Sequence, residues 1–210
     1  MGKREENKNA KRERLEAAGL AAFLAEGYPV ASVERIAEAA GVARGTFYLY
    51  FTDKLALYVA LVERLFSPVE GALRAARVAL AACPDGPSTF PVYAILGAAL
   101  ADALQAHADT VRIYFAESRS PGPAGEAVRA RAGAVELAIE DILRDAVARG
   151  VLRPHDTRAV ALAIFGGVER LVAAVLAGER LEVGSLPVEV TALFRYGLAP
   201  VEALAGSPAG

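Results

Sequence analysis

The chain has 210 residues, 54% of them hydrophobic, and a formal net charge of −2, enough length for a small module plus one further helical domain with a sizeable core. No apolar run approaches the roughly 20 residues that span a bilayer, and the start MGKREENKNAKRER lacks the apolar stretch of a secretory signal, so no membrane partner and a cytoplasmic location are expected. Cys83, His107 and His155 stand far apart with no zinc or triad spacing, no glycine-rich loop follows a strand and no nucleophile elbow occurs, so neither catalysis nor a metal or other cofactor is expected.

The first fourteen residues hold six basic and three acidic side chains. Such an arm is expected to be mobile when free and to meet phosphates or a minor groove when bound; a solvated tail has the same composition. The basic excess is local, because residues 1 to 54 carry 9 basic and 8 acidic residues while residues 55 to 210 carry 14 and 17. A nucleic-acid-binding head in this chain therefore cannot rely on bulk positive charge.

Residues 32 to 54, SVERIAEAAGVARGTFYLYFTDK, read as two short helices joined at Gly41. In the first, Val33, Ile36, Ala37 and Ala40 fall at helical spacing and leave Glu34, Arg35 and Glu38 for water. Ser32 is placed to cap it. Gly41 supplies the left-handed backbone that stops one helix and turns into the next, and Val42 plugs the angle between them. The second helix, about residues 43 to 50, turns Phe47 inward four residues before Phe51. Gly45 lowers its stability by roughly 1 kcal/mol against alanine and in return lets the backbone approach a phosphate or a base edge. A recognition helix in the major groove sets its N-terminal residues against the bases, so Ala43, Arg44, Gly45 and Thr46 are expected to read sequence. Tyr48, Tyr50 and Lys54 suit phosphate oxygens, which position a protein without specifying sequence; Ser32 and Val33 complete the expected DNA-contacting set. A helical hairpin with a glycine turn, in a protein that never touches DNA, has the same spacing.

The flanking residues narrow that choice. Leu15, Ala18, Phe23, Glu26-Gly27-Tyr28, Ser32-Val33, Ile36-Ala37, Ala40-Gly41-Val42, Gly45-Thr46-Phe47-Tyr48, Tyr50-Phe51 and Lys54 before Leu55 follow in one order over residues 15 to 57. This stretch resembles the DNA-binding domain of TetR-type transcriptional repressors. The resemblance covers the first quarter of the chain. It departs at Gly19 and Ala22, where the family usually has alanine and a larger apolar residue, and at Ala31, where it often has threonine. A thinner core stripe on the first helix and one hydroxyl fewer on the DNA side are expected from these departures. The resemblance implies an all-α fold of about nine helices. A three-helix domain over 8–54, with its helix-turn-helix at about 32–51, joins a helical ligand-binding and dimerisation domain over 55–210. It further implies a homodimeric repressor of double-stranded DNA with a palindromic operator, released by a small-molecule effector.

Beyond Asp53, a ready N-cap, residues 55 to 82 keep an apolar helical pattern in which Pro68 marks a kink or a break. Cys83, as the lone cysteine, rules out an internal disulfide and fits a reducing compartment. Residues 83 to 91, CPDGPSTFP, read as a loop, followed by helices over 92–107, 110–118 and 126–149, the last stopped by Gly150. Asp156 can cap a helix over 157–177 that is apolar almost all round and so needs cover on two faces. A partner subunit is one cover and a central place in a monomer core is another. With a last helix over 187–196 it can build the four-helix dimer interface that the resemblance implies, for which Ile164, Gly167, Val168, Leu171, Val175 and Leu193 are the candidate residues. Candidates for an effector site are the aromatic and polar residues on otherwise apolar helices, namely Tyr93, His107, Arg112, Tyr114, Phe115 and Phe165. For each, core packing or a surface contact is the competing role. The apolar surroundings suggest a hydrophobic effector, a drug-like compound or an acyl chain with Arg112 as anion partner. Against the regulator stands a helical interaction protein that keeps the fold without specific DNA binding.

Overall fold

A computed structural model of the chain describes residues 2–181 and 186–198. Among the described residues it holds nine α-helices, one short 3-10 turn and no strand, the all-α architecture expected. The helices form two compact units, residues 1–66 with 107–131 and residues 67–106 with 132–210. These do not divide at residue 54: the helix after His107 and the first turns of the next cluster with the N-terminal helices.

The first unit begins with α1 (Lys3–Val30), so residues 3 to 14 are helical rather than a free arm. They contain no glycine, proline or β-branched residue, and they extend a helix already nucleated by the core, which avoids the unfavourable first turn. Glu5 and Glu6 lie in that first turn, where the helix dipole favours negative charge. The helix breaks at Gly27 (φ 80°, ψ 158°) and makes one more turn through Pro29. Next come α2 (Val33–Ala39), α3 (Arg44–Phe47) and the first half of α4 (Lys54–Ala81), with α6 (Ala108–Glu117) packed on α1. Leu15, Ile36, Phe47, Leu57, Tyr58 and Val128 are fully buried here. The expected thinning of the α1 stripe at Gly19 does not arise, because Leu57 fills the space over it. Nor does Ala31 leave the DNA side short of a hydroxyl, since it is 2% exposed and sits in the core.

The second unit contains the rest of α4, which continues through Pro68 without a break. The expected loop partly folds as a 3-10 turn (Pro87–Thr89) leading into α5 (Phe90–Ala106). The remainder of α7 (Pro123–Ala148), α8 (Thr157–Leu176) and α9 (Leu186–Leu198) complete it. Leu143, Ala146, Leu152, Ala161 and Leu198 form its core cluster. Gly150 (φ 71°) ends α7 as read from the sequence and folds Val151 and Leu152 back onto it. Arg77 of α4 bonds Asp141 and Asp145 of α7, each at 2.8 Å. Asp156 caps α8 by accepting from the Ala159 amide at 3.0 Å.

One expectation is corrected by these helices. Pro87–Ala106 and Thr157–Leu176 are each long and apolar enough, by length and composition, to cross a membrane. The periodic pattern hides this, because their few charges sit near the ends or on one flank. The core helix of a folded bundle meets the same criterion.

Candidate nucleic-acid interface

The helix-turn-helix is built from two short helices whose ends are set by single residues. Ser32 Oγ accepts from the Arg35 amide at 3.3 Å and starts α2, so this hydroxyl caps the helix. Gly41 (φ 65°) then reverses the chain, and the Val42 amide donates back to the Ala37 carbonyl at 3.0 Å. Helix α3 is shorter than the expected 43–50, with α-helical geometry only over Arg44–Phe47. Tight turns carry it on, the Leu49, Tyr50 and Phe51 amides donating to Thr46 and Phe47 carbonyls at 2.9 to 3.2 Å. Gly45, Thr46 and a run of aromatics are poor helix formers, so the segment holds its course through packing. Phe47 is 0% and Phe51 4% exposed, with ring centroids 5.7 Å apart. The Arg12 guanidinium lies 5.1 Å from the Phe51 centroid.

With Phe47 anchored, the opposite face of this segment is bare. Ala43, Arg44 and Gly45 are exposed, Thr46 and Tyr50 are half-buried, and Tyr48 is 46% exposed. A Cβ added at Gly45 would meet no atom within 4 Å, so nothing inside the chain requires glycine there. Val33 is half-buried at the start of α2. Arg44 has partners within the head: its Nε bonds Glu34 Oε1 at 3.0 Å and its guanidinium lies 5.9 Å from the Tyr48 ring centroid. The Tyr48 hydroxyl and the Glu34 carboxylate both raise its pKa. Arg35 is likewise paired with Glu26 at 2.5 Å, and Glu16 accepts from both Arg12 and Arg64 at 2.9 Å. These pairs explain how a head of nearly balanced charge holds its guanidiniums at defined places.

Lys54 is the site residue whose place differs from the expectation. Its ammonium donates to the Tyr28, Pro29 and Ala31 carbonyls at 2.5, 3.1 and 2.8 Å and lies 4.5 Å from the Tyr28 ring centroid. An ammonium has three donors, so none remains for a phosphate. The broken end of α1 at Gly27 leaves carbonyls without helical partners, and Lys54 collects them. Burial lowers its pKa. Behind it Phe23, Tyr28 and Tyr58 form a triangle of rings with centroids 5.1 to 5.7 Å apart. The Tyr58 hydroxyl donates to the Ile113 carbonyl of α6 at 3.0 Å. Lys54 before an apolar residue was visible in sequence as a motif; its partners were not, because they lie 23 to 26 residues away.

Two family models match the chain. Residues 15–61 match the one described as bacterial regulatory proteins, tetR family, and residues 94–173 match a tetracyclin repressor-like C-terminal domain. The chain belongs to the TetR family of transcriptional regulators. It is accordingly a DNA-binding regulator and not an enzyme. It is 39% identical over 59 residues to the uncharacterized HTH-type transcriptional regulator TtgW of Pseudomonas putida, a match spanning 28% of this chain and 44% of that relative. It shares its fold with the fatty acid degradation regulator FadR from Bacillus halodurans (22% identity, 90% of this chain and 96% of that one, TM-score 0.70). The same holds for FadR from Bacillus subtilis in complex with stearoyl-CoA (18% identity, 89% and 98%, TM-score 0.69).

In this TetR-family chain the effector candidates are divided between the two units. Tyr114 is 5% exposed and packs between the Phe66 and Phe115 rings, at 5.5 and 5.1 Å. Arg112 is exposed on α6, and His107, half-buried, begins that helix. Tyr93 and Phe165 belong to the other unit. Tyr93 lines a cavity of about 20 Å³ with Leu80, Ile142 and Ala146, room for one water. An open trough of about 880 Å³ lies instead on the head between α1 and α2, floored by alanines. Of the residues assigned to dimerisation, five lie on α8 and Leu193 on α9. Only Ala161 and Ala174 of α8 are buried. Ile164 packs on the unit's own core, Val168, Leu171 and Val175 are half-buried, Gly167 is open, and Leu193 of α9 is 71% exposed.

Proposed function

We propose that the chain acts as a homodimeric repressor that binds a palindromic operator and is released by a small apolar effector. The observation that carries this reading is the two-sided α3 segment. Phe47 and Phe51 lock it to the core while Ala43, Arg44 and Gly45 are exposed and Thr46 half-buried beside them, and these four act as base readers. Tyr48 and Tyr50 hold phosphates around them, with Ser32 and Val33 at the start of α2 completing the contact set, a division that follows from how recognition helices dock. Lys54 is left out of the contact set because its donors are used within the fold.

The uncovered apolar side of α8 with Leu193 of α9 supports the dimer, since a two-fold pair presents two heads to two half-sites. It also supports reading α8 as an interface helix, in a protein that works in the cytoplasm, rather than as a membrane span. The likeness of fold to a FadR holding stearoyl-CoA supports an effector with a long acyl chain.

Gel shift on genomic fragments at increasing salt, with sedimentation of the same sample, tests the whole reading. Specific binding that weakens with salt, by a dimer, and its loss on adding stearoyl-CoA, is the expected result. No specific fragment at any salt would make the chain a helical interaction protein. Release only by small, highly polar metabolites would sink the apolar effector.

A further inference from the structure

We infer that Leu49 reads the C5-methyl group of a thymine in each half-site, an inference that rests on the DNA-reading face described above. Leu49 is 78% exposed, although a leucine gains most from burial. Its place follows from Phe47. The α-helix ends at Phe47, and in the turns that follow it Phe47 stays fully buried while Leu49, two residues on, is turned out to solvent. Its amide donates to the Thr46 carbonyl at 3.2 Å, which ties its backbone into a tight turn. Gly45, in the same segment, is exposed as well. It contributes only backbone, with open space where a side chain would be. The exposed surface of this segment thus offers a bare glycine and an isobutyl group.

Polar groups flank these two residues. Arg44 and Tyr48, paired with each other, lie beside them, and Tyr50 follows. Tyrosine hydroxyls and a guanidinium have oxygen and nitrogen partners all along a duplex. A leucine has few: on the base edges of the major groove the thymine methyl is the apolar protrusion, and apolar side chains meet it there. The bare backbone at Gly45 lets the segment come close enough for that contact.

The test uses the full chain and a duplex recovered by selection from random-sequence DNA. Each thymine is replaced singly by deoxyuridine, which removes the methyl and nothing else. Wild-type chain is expected to lose about fourfold in affinity at one thymine per half-site, the value of one buried methyl-sized group. Leu49→Ala and Leu49→Gln are expected to bind the thymine and deoxyuridine duplexes equally, and both should keep the wild-type melting temperature because the side chain is exposed. Three results would overturn the inference: no thymine whose methyl matters, a methyl effect that persists unchanged in both variants, or a loss in the variants that is equal on every duplex. The last would place Leu49 on sugars. A wild-type chain that selects no duplex would instead overturn the DNA-reading itself, and this inference with it.

Discussion

Gly19 of α1 and Leu57 of α4 occupy one another's space: a Cβ on Gly19 would lie 2.5 Å from Leu57 Cδ2. Leu57 is fully buried, so it has no solvent side to retreat to. Gly19→Ala is therefore expected to lower stability by about 1 to 3 kcal/mol, the usual range for overpacking, despite the better helix propensity of alanine. Chemical denaturation reads this directly. In a Leu57→Val background the same change should be smaller, and additive effects at the two positions would show that they do not share the space.

Lys54→Met keeps the stem and removes the ammonium. Three carbonyls at the end of α1 then lose their donor, and a drop of about 1 to 3 kcal/mol is expected for stranded, partly buried acceptors. The slope of operator affinity against salt should not change. A slope lower by about 1 would mean that Lys54 neutralises a phosphate after all.

Arg44→Ala should relax preference at one operator position, at about 1 to 3 kcal/mol against the best base. Tyr48→Phe should weaken all operator variants alike. Affinities over a panel of single-base variants distinguish them, and a uniform loss for Arg44→Ala would cancel its role as a base reader.

Gly167 has open space around its Cα, so Gly167→Arg meets no obstacle within the chain and should keep the helical content. If α8 is the subunit interface, the added charge is buried there without a partner. The variant should sediment as a monomer and lose specific operator binding. A dimer of unchanged strength would move the interface elsewhere.

His107 supplies a pH dependence whose sign is set by its surroundings. Burial, and then the Arg64 guanidinium, lower its pKa from the ordinary 6.5. Below that value the unfolded chain binds a proton that the folded chain resists, so stability falls as pH drops from about 6.5 through the folded pKa. Thermal melts between pH 7 and pH 5 should fall less steeply for His107→Gln than for wild type. Parallel curves would show that the imidazole does not titrate differently on folding.

The sequence by itself determined the elements that rest on local chemistry. Ser32 as a cap, Gly41 and Gly150 as reversals, Phe47 and Phe51 as inward anchors and Asp156 as the start of α8 each depend on neighbours within a few residues. The ordered motif over residues 15 to 57 carried the family with it. Tertiary structure decided whatever depends on distant partners. Lys54 is committed to carbonyls at the end of α1, Gly19 is roofed by Leu57, and α6 is tied to the head through Tyr58. Leu49 belongs to no motif, and its 78% exposure is a property of the folded chain. Spacing reports which residues share a face of one helix; only packing reports what that face meets.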